Sequence, residues 1–536
     1  MKNTITRYLL LVATLIAALM LGACGPDPVP EPDPTDPEDV QINKWTYQIM
    51  SYYYLWNEEV KTVKPAYETD YQSFLTNILS ALKTNTLDGK VYNGSRSFYS
   101  YITCTPVTRA GNVEFSPTYG MSIRAYGFNI LLYACPKCGG KEYDHEKKCK
   151  KCGTSFVIPR YFARIQYVTP DSPAAKAGLK RGDWIGRIDG KQILGTNFSD
   201  INKLLPANST SVKVLKCSFT ANSTNDGVIF KEEAESNAVT LTRAAVEENP
   251  IHTYKVLTTN SGAKVGYLLF NQFKRGYDES DPVNSDEYEE QLRTVFAEFC
   301  SAGIDELVLD LRYNPGGYVS TAQLLSSMIA PQAKLGTKWL ECRPNTSRKS
   351  TWYNLLTADE VADCNLALSR IYVIASESSA SASELMINNM RGLDVEVIHV
   401  GTQTEGKVVG MEVIDHLFNS TDKAEFGGYR YTIHPVTFRS YDAKGNSDYA
   451  NGLTPNYFYN EYMDEESLRW IEWGELGDAQ EPMLKIVLGL IDGIEPNRSG
   501  TRSRTIDVGA VECPKLLSPS ILHGSIVVPT DNFYNE

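Results

Sequence analysis

Five serines stand within the ten residues "SESSASASEL" (376–385). A serine becomes a nucleophile only when a substrate can reach its hydroxyl and a nearby base takes its proton. The stretch follows the apolar run "IYVIA" (371–375) and precedes a helix expected over about 381–391, so it forms a strand-to-helix turn. First-turn amides of a helix can hold a developing oxyanion. Ala380 and Ala382 leave room for a substrate carbonyl. A second apolar run ends in "LDLRYNPGG" (309–317), where Gly316 and Gly317 let backbone amides approach a ligand. One of those two amides is a candidate oxyanion donor beside Ala382.

The base is less obvious. The six histidines are His145, His252, His399, His416, His434 and His523. None stands in a triad setting, and no G-x-S-x-G elbow is present. One further strand downstream, "TQTEGKVVG" (402–410) places Lys407 in a glycine-punctuated turn. Neighbouring parallel strands would bring this turn to the serine. At its reference pKa only about one lysine in 2,500 is neutral at pH 7. A lysine base must therefore be buried, so that desolvation depresses its pKa by several units.

A separate constellation is "CPKCGGKEYDHEKKCKKCG", with Cys135, Cys138, Cys149 and Cys152 spaced C-x2-C-x10-C-x2-C. Such pairs of thiolates suit tetrahedral zinc, and two disulfides or an unmetallated loop are the competing readings. A four-sulfur site is closed, so the expected role is structural, in a zinc ribbon at 133–155. His145 reads as a solvated loop residue. Of the scattered cysteines, Cys342 and Cys364 are the pair most worth testing as a disulfide, with buried free thiols as the alternative.

The elements that must position these groups alternate along the chain. "KVGYLLF" (264–270), "ELVLDLR" (306–312), "IYVIAS" (371–376) and "VEVIHVG" (395–401) read as strands. Helical stretches at 285–303 and 318–330 and after the serines separate them. This is the pattern of an α/β layer with parallel pairings. Upstream, "YVTPDSPAAKAGLKRGDWIGRIDGKQI" (167–193) reads as strand, turn, short helix, strand and turn. It resembles a PDZ domain of the form found in secreted proteases. That resemblance implies a peptide groove floored near "YGMSI" (119–123), where an extended peptide adds as an edge strand. Before it, Trp45, Ile49, Tyr53 and Trp56 recur at helical spacing, as the core face of a small helical cap.

Taken in order, these motifs resemble the C-terminal processing, or tail-specific, serine peptidases of family S41. In that family the middle serine of "S-A-S-A-S-E" is the nucleophile, here Ser381. The lysine of "T-F-G-K-G" is the general base, here Lys407, and "D-L-R-x-N-x-G-G" matches Asp310 to Gly317. Two departures stand out. Met411 occupies the place of a glutamine that often orients the lysine, and Glu405 replaces the phenylalanine. "SDYANGLTPN" (447–456) resembles a divergent lipoprotein branch in Bacteroidetes-like bacteria. The resemblance implies a serine endopeptidase acting on protein or peptide substrates, with the PDZ-like domain capturing their tails. The alternative is a weak or inactive peptide- or ligand-binding lipoprotein on the same scaffold.

Composition frames these readings. The 536 residues are 42% hydrophobic and 22% charged, ordinary for a soluble multi-domain chain. A net charge of −13 argues against nucleic acid as a partner. Lys2 and Arg7, the apolar run 8–20 and "LGAC" resemble a bacterial lipoprotein signal that lipidates Cys24. The expected site is the cell envelope, lipid-anchored to the outer membrane and periplasmic or surface-exposed. The expected fold is mixed α/β and multi-domain. It comprises a signal (1–24), a Pro/acidic tether (25–40) and the helical cap (41–105). A β-rich PDZ-like domain with the ribbon inserted (106–248), an α/β peptidase core (249–500) and a tail (501–536) follow.

Overall fold

The computed structural model describes residues 36–496, apart from 93, 107–116, 132–134, 136, 156, 194–204, 206–208, 222–227, 278–284, 416–428 and 462–472, together with 527–528. The expected signal, Cys24, the tether up to 35, and His416 and His523 lie outside the described residues.

The chain enters through helix α1 (Glu38–Tyr53), which starts inside the stretch expected to be tether. Pro37 precedes it, and Glu38 and Asp39 sit in its first turn, where negative charge suits the helix dipole. Those two acidic residues thus begin a helix instead of extending the linker. Helix α2 (Tyr71–Ala81) is capped by Asp70, whose carboxylate accepts from Ser73 N–H at 2.9 Å. Strand β1 (Tyr101–Pro106) then leaves this region.

The next sheet carries β2 (Met121–Leu131), β3 (Val157–Val168), β4 (Trp184–Ile188), β5 (Ser211–Ala221), β6 (Val228–Glu232) and β7 (Val239–Thr242). Its order is β6-β5-β4-β3-β2, with β7 also pairing β5, so the "YGMSI" stretch leads into an edge strand. "SPAAKAGL" gives only one helical turn, α3 (Pro173–Lys176), capped by Ser172 and ended before Gly178. Tyr119, Ala163, Ile165, Ile185, Val214 and Leu241 form this domain's own core.

A six-stranded sheet contains β8 (Ile251–Thr258), β9 (Lys264–Phe270), β10 (Glu306–Asp310), β12 (Arg370–Ala375), β13 (Glu396–Gly401) and β17 (Tyr457–Phe458), in that order. β11 (Lys338–Pro344) belongs to a neighbouring sheet with β14 (Val409–Glu412) and β16 (Val436–Asp442). Within the six-stranded sheet, β9, β10, β12, β13 and β17 pair in parallel. Helices α4 (Glu287–Ala302), α5 (Val319–Ile329) and α6 (Ala382–Gly392) connect β9, β10, β12 and β13. Both sheet faces are covered, which is why these strands read as continuous apolar runs. Leu268, Phe270, Leu307, Leu309 and Val373 pack on the helical side, in one core with Ile42, Met50 and Tyr54 of the N-terminal region. Tyr267, Leu269, Val308 and Ile374 pack under α7 (Pro482–Ile491).

The N-terminal region is also tied in by backbone: β1 pairs antiparallel with β15 (Tyr429–His434). Val527–Val528 pairs in parallel with Met411–Glu412, so part of the expected tail joins a sheet. Cys342 and Cys364 are buried free thiols, not a disulfide. Among the described residues no helix is long and apolar enough to cross a membrane.

Candidate active site

The loops after β10 and β12 leave the same end of the parallel sheet, because Asp310 pairs with Ile374. Ligand sites of open parallel sheets form at this carboxyl edge. Three serines of the 376–385 stretch are spent on joining the two loops. Ser376 Oγ donates to Arg312 O at 2.5 Å, Ser379 Oγ to Leu311 O at 2.7 Å, and Ser383 Oγ to Asn314 O at 2.9 Å. Ser381 differs. Its Oγ is buried and has no hydrogen-bond partner among the described residues. Its backbone, at φ 58°, ψ −114°, lies where an L-residue is strained, immediately before α6. Strain of this kind is held only where surroundings over-determine it, and such positions cluster at reactive sites.

Gly316 packs directly on this turn. A Cβ at Gly316 would stand 2.8 Å from both Ala382 N and Ser381 Cβ, and its φ of +108° also excludes side chains. The Gly316 N–H is not available to a ligand, because it donates to Asn314 Oδ1 at 2.8 Å. That corrects the expectation that either glycine could serve. Gly317 is left as the candidate donor with Ala382, whose amide belongs to the helix's first, unpaired turn.

Lys407 lies in the loop from β13 to β14 and is fully buried. Its ammonium stands 4.7 Å from the centre of the Tyr99 ring. Burial lowers its pKa from 10.5 to about 8, against opposing pulls from Asp88, Glu405 and Glu384. Two contacts bind its loop to the serine turn. Glu405 N–H donates to Ser379 O at 3.0 Å. The buried Glu384 carboxyl, on α6, accepts from Ser381 N–H at 3.0 Å and Lys407 N–H at 2.8 Å through one oxygen. Through the other it accepts from Gly406 N–H and the Thr404 hydroxyl, each at 2.5 Å. Burial raises the Glu384 pKa to about 7, although these four donors favour its ionised form. One side chain thus sets the serine turn and the lysine loop against each other.

Sequence reasoning did not single out Glu384, Tyr99, Asp88 or Glu405 for these parts. Tyr99 OH donates to Glu405 Oε1 at 3.2 Å. Asp88 accepts from the amides of Tyr99 and Ser100, each at 2.9 Å, and from Tyr54 OH at 2.7 Å. Met411 is buried in β14. The glutamate closing "SASASE" was visible as part of the motif, but the tyrosine and aspartate lie some 300 residues upstream with no local signal. Burial lowers the His399 pKa to about 4, and its Nε2 lies 3.3 Å from Ala375 O. Among the described residues no histidine bonds the Ser381 hydroxyl.

Beneath the site, Arg312 is wholly buried and bonds Asp310, Glu461 and Glu481 at 2.7–3.0 Å. Arg181, from the turn after α3, reaches the same group, bonding Tyr313 OH at 2.5 Å and Glu461 at 3.1 Å. Burial alone would raise the Glu461 pKa, but Arg181 and Arg312 outweigh it and hold it at about 2.

The four cysteines of the ribbon converge, with all four Sγ atoms within 4.8 Å of one another. None is in a disulfide. His145 is exposed.

A parallel sheet bearing this serine turn and lysine loop, joined to a small β-domain, defines a recognisable class. Residues 264–457 match peptidase family S41, 164–217 match the PDZ domain, and 41–101 match the S41 N-terminal domain. The chain thus carries a peptidase domain of family S41 at residues 264–457. Among its relatives is a carboxy-terminal-processing protease of Bartonella bacilliformis, 24% identical over 371 residues, covering 67% of this chain and 73% of the relative. A CtpA-like serine protease of Staphylococcus haemolyticus is 24% identical over 238 residues, 44% of this chain. The match spans only 40% of that staphylococcal protein's length. A crystal structure of an S41 protease from Bacteroides fragilis is 26% identical, with a TM-score of 0.61, covering 84% of this chain and 98% of that one.

Proposed function

We propose that the protein is a serine endopeptidase in which Ser381 and Lys407 form the catalytic dyad. The observation that carries this reading is the Ser381 hydroxyl, buried and without a hydrogen-bond partner among the described residues, in a strained turn at a helix start. It is tied through Glu384 to a buried lysine whose pKa is about 8. At that pKa about one molecule in ten holds a neutral lysine at pH 7, against about one in 2,500 for a free one. Ser381 Oγ attacks the scissile carbonyl, and Lys407 Nζ takes its proton and passes it to the leaving amine. The oxyanion is held by the Ala382 and Gly317 amides. Water then attacks the acyl-serine, with Lys407 again as base.

The PDZ-like domain captures substrate tails. Among the described residues no strand pairs with the outer edge of β2, and a peptide adding there would lie alongside the stretch from Tyr119. Lipidation of Cys24 holds the enzyme at the cell envelope. A Cys24→Ser variant then moves from the membrane fraction to the soluble fraction, and unchanged membrane association would refute the anchor.

Mapping the adduct of an acylating or phosphonylating serine reagent tests the dyad. Label on Ser381 that is lost in Lys407→Ala, with fold preserved by circular dichroism, is the expected result. Label on another serine in an active preparation would overturn it.

A further inference from the structure

We propose that Cys135, Cys138, Cys149 and Cys152 bind one zinc ion, which folds the tip of the β2–β3 hairpin. The tip is built from two copies of one knuckle. In the first, Gly139 N–H donates to Cys135 O at 2.9 Å and Cys135 N–H to Gly140 O at 2.7 Å. In the second, Gly153 N–H donates to Cys149 O at 2.8 Å and Cys149 N–H to Thr154 O at 2.8 Å. Gly139 and Gly153 have φ near +70°, the left-handed turn that aims both cysteines of a pair inward.

Distances separate metal from disulfide. Cys135 and Cys152 Sγ are 3.4 Å apart, and Cys138 and Cys149 Sγ 3.6 Å. A disulfide requires about 2.05 Å. A tetrahedron of four sulfurs at about 2.3 Å from zinc has edges of about 3.8 Å. The observed cross-knuckle spacings are close to the second and far from the first. Thiolate sulfur, with no carboxylate or imidazole in the cluster, selects a soft or borderline cation such as zinc over magnesium or calcium.

Two further observations favour a metal. Among the described residues of 135–155, only Cys135 and Cys149 are buried. The four cysteines form a cluster by themselves, separate from the PDZ-like core. A segment with no other buried side chain has nothing apolar to fold around, and metal binding then supplies the folding free energy. Charge agrees. A zinc tetrathiolate carries a net charge of −2, and lysines 137, 141, 147, 148, 150 and 151 surround it on an otherwise acidic chain. Only Glu142, Asp144 and Glu146 oppose them there.

The site is independent of the serine chemistry, and metal analysis of the purified full chain tests it. One zinc per chain is expected, with the Cys149→Ser, Cys152→Ser double variant holding less than about a tenth of that. Treating wild type with a strong chelator should expose four reactive thiols and speed amide exchange across 137–155, leaving β9 and β10 protected. If the double variant fails to fold, the chelator experiment gives the same readout on wild type. Background zinc in folded protein, zinc retained by the double variant, or peptide mapping that joins Cys135 to Cys152 by a disulfide would each overturn the proposal.

Discussion

The proposed base is a lysine that folding makes uncomfortable. Its pKa is 10.5 in the unfolded chain and about 8 in the folded one. Between those values the unfolded chain holds a proton that the folded chain has released, so stability rises with pH across that window. Below pH 8 the full cost remains, about 3 kcal/mol for a shift of this size. Lys407→Met should therefore abolish peptide cleavage while raising the thermal midpoint at pH 7, by several degrees. A lowered midpoint would show that Lys407 is instead a structural charge. For wild type, kcat/KM should rise with pH along an acid limb centred near 8, as the lysine loses its proton. A flat profile from pH 6 to 9 would argue against a lysine base. The candidate serine turn and lysine loop stood out in the sequence as clusters of small residues, and the choice of Ser381 among the five serines came from the family motif. Glu384's part was not legible, because its four partners are mostly backbone amides, which no side-chain pattern reveals. Nor could a pattern choose between Gly316 and Gly317. The choice depends on where the Asn314 side chain points.

At the scale of elements, the site rests on parallel strands whose order the alternation of apolar runs and helices made readable. Boundaries were less so. α1 starts at Glu38 because two acidic residues suit a first helical turn, although prolines and acids just before them read as linker. The helix of "SPAAKAGL" stops early because Gly178 turns left-handed. What the strand pattern hid entirely is the charged layer beneath "DLR". Arg312 has no exposed surface and three acidic partners contributed by β10, Glu461 and the start of α7. Removing one member of a buried ionic group leaves the others uncompensated, at about 3–5 kcal/mol. Arg312→Met should lower the urea midpoint accordingly, and a change below about 1 kcal/mol would mean that water reaches the group. The hydroxyls of Ser376 and Ser379, which donate to the carbonyls of Arg312 and Leu311, would transmit that loss to the serine turn.

At the scale of the molecule, the regions matching the S41 N-terminal domain, the PDZ domain and the peptidase domain all contribute to one functional unit. The first supplies Tyr99 against Lys407 and pairs β1 with β15. The second sends Arg181 into the ionic layer. The third holds Ser381, Lys407, Ala382 and Gly317. A lysine covered by a ring from another region owes part of its burial to the assembled chain, so under the proposed mechanism the N-terminal region serves the chemistry as well as the fold. The measurement that bears most directly on this account is cleavage of an intrinsically disordered protein by the purified full chain and by Ser381→Ala, followed by mass spectrometry. The account predicts fragments from wild type and none from the folded variant. Equal cleavage by Ser381→Ala would contradict it.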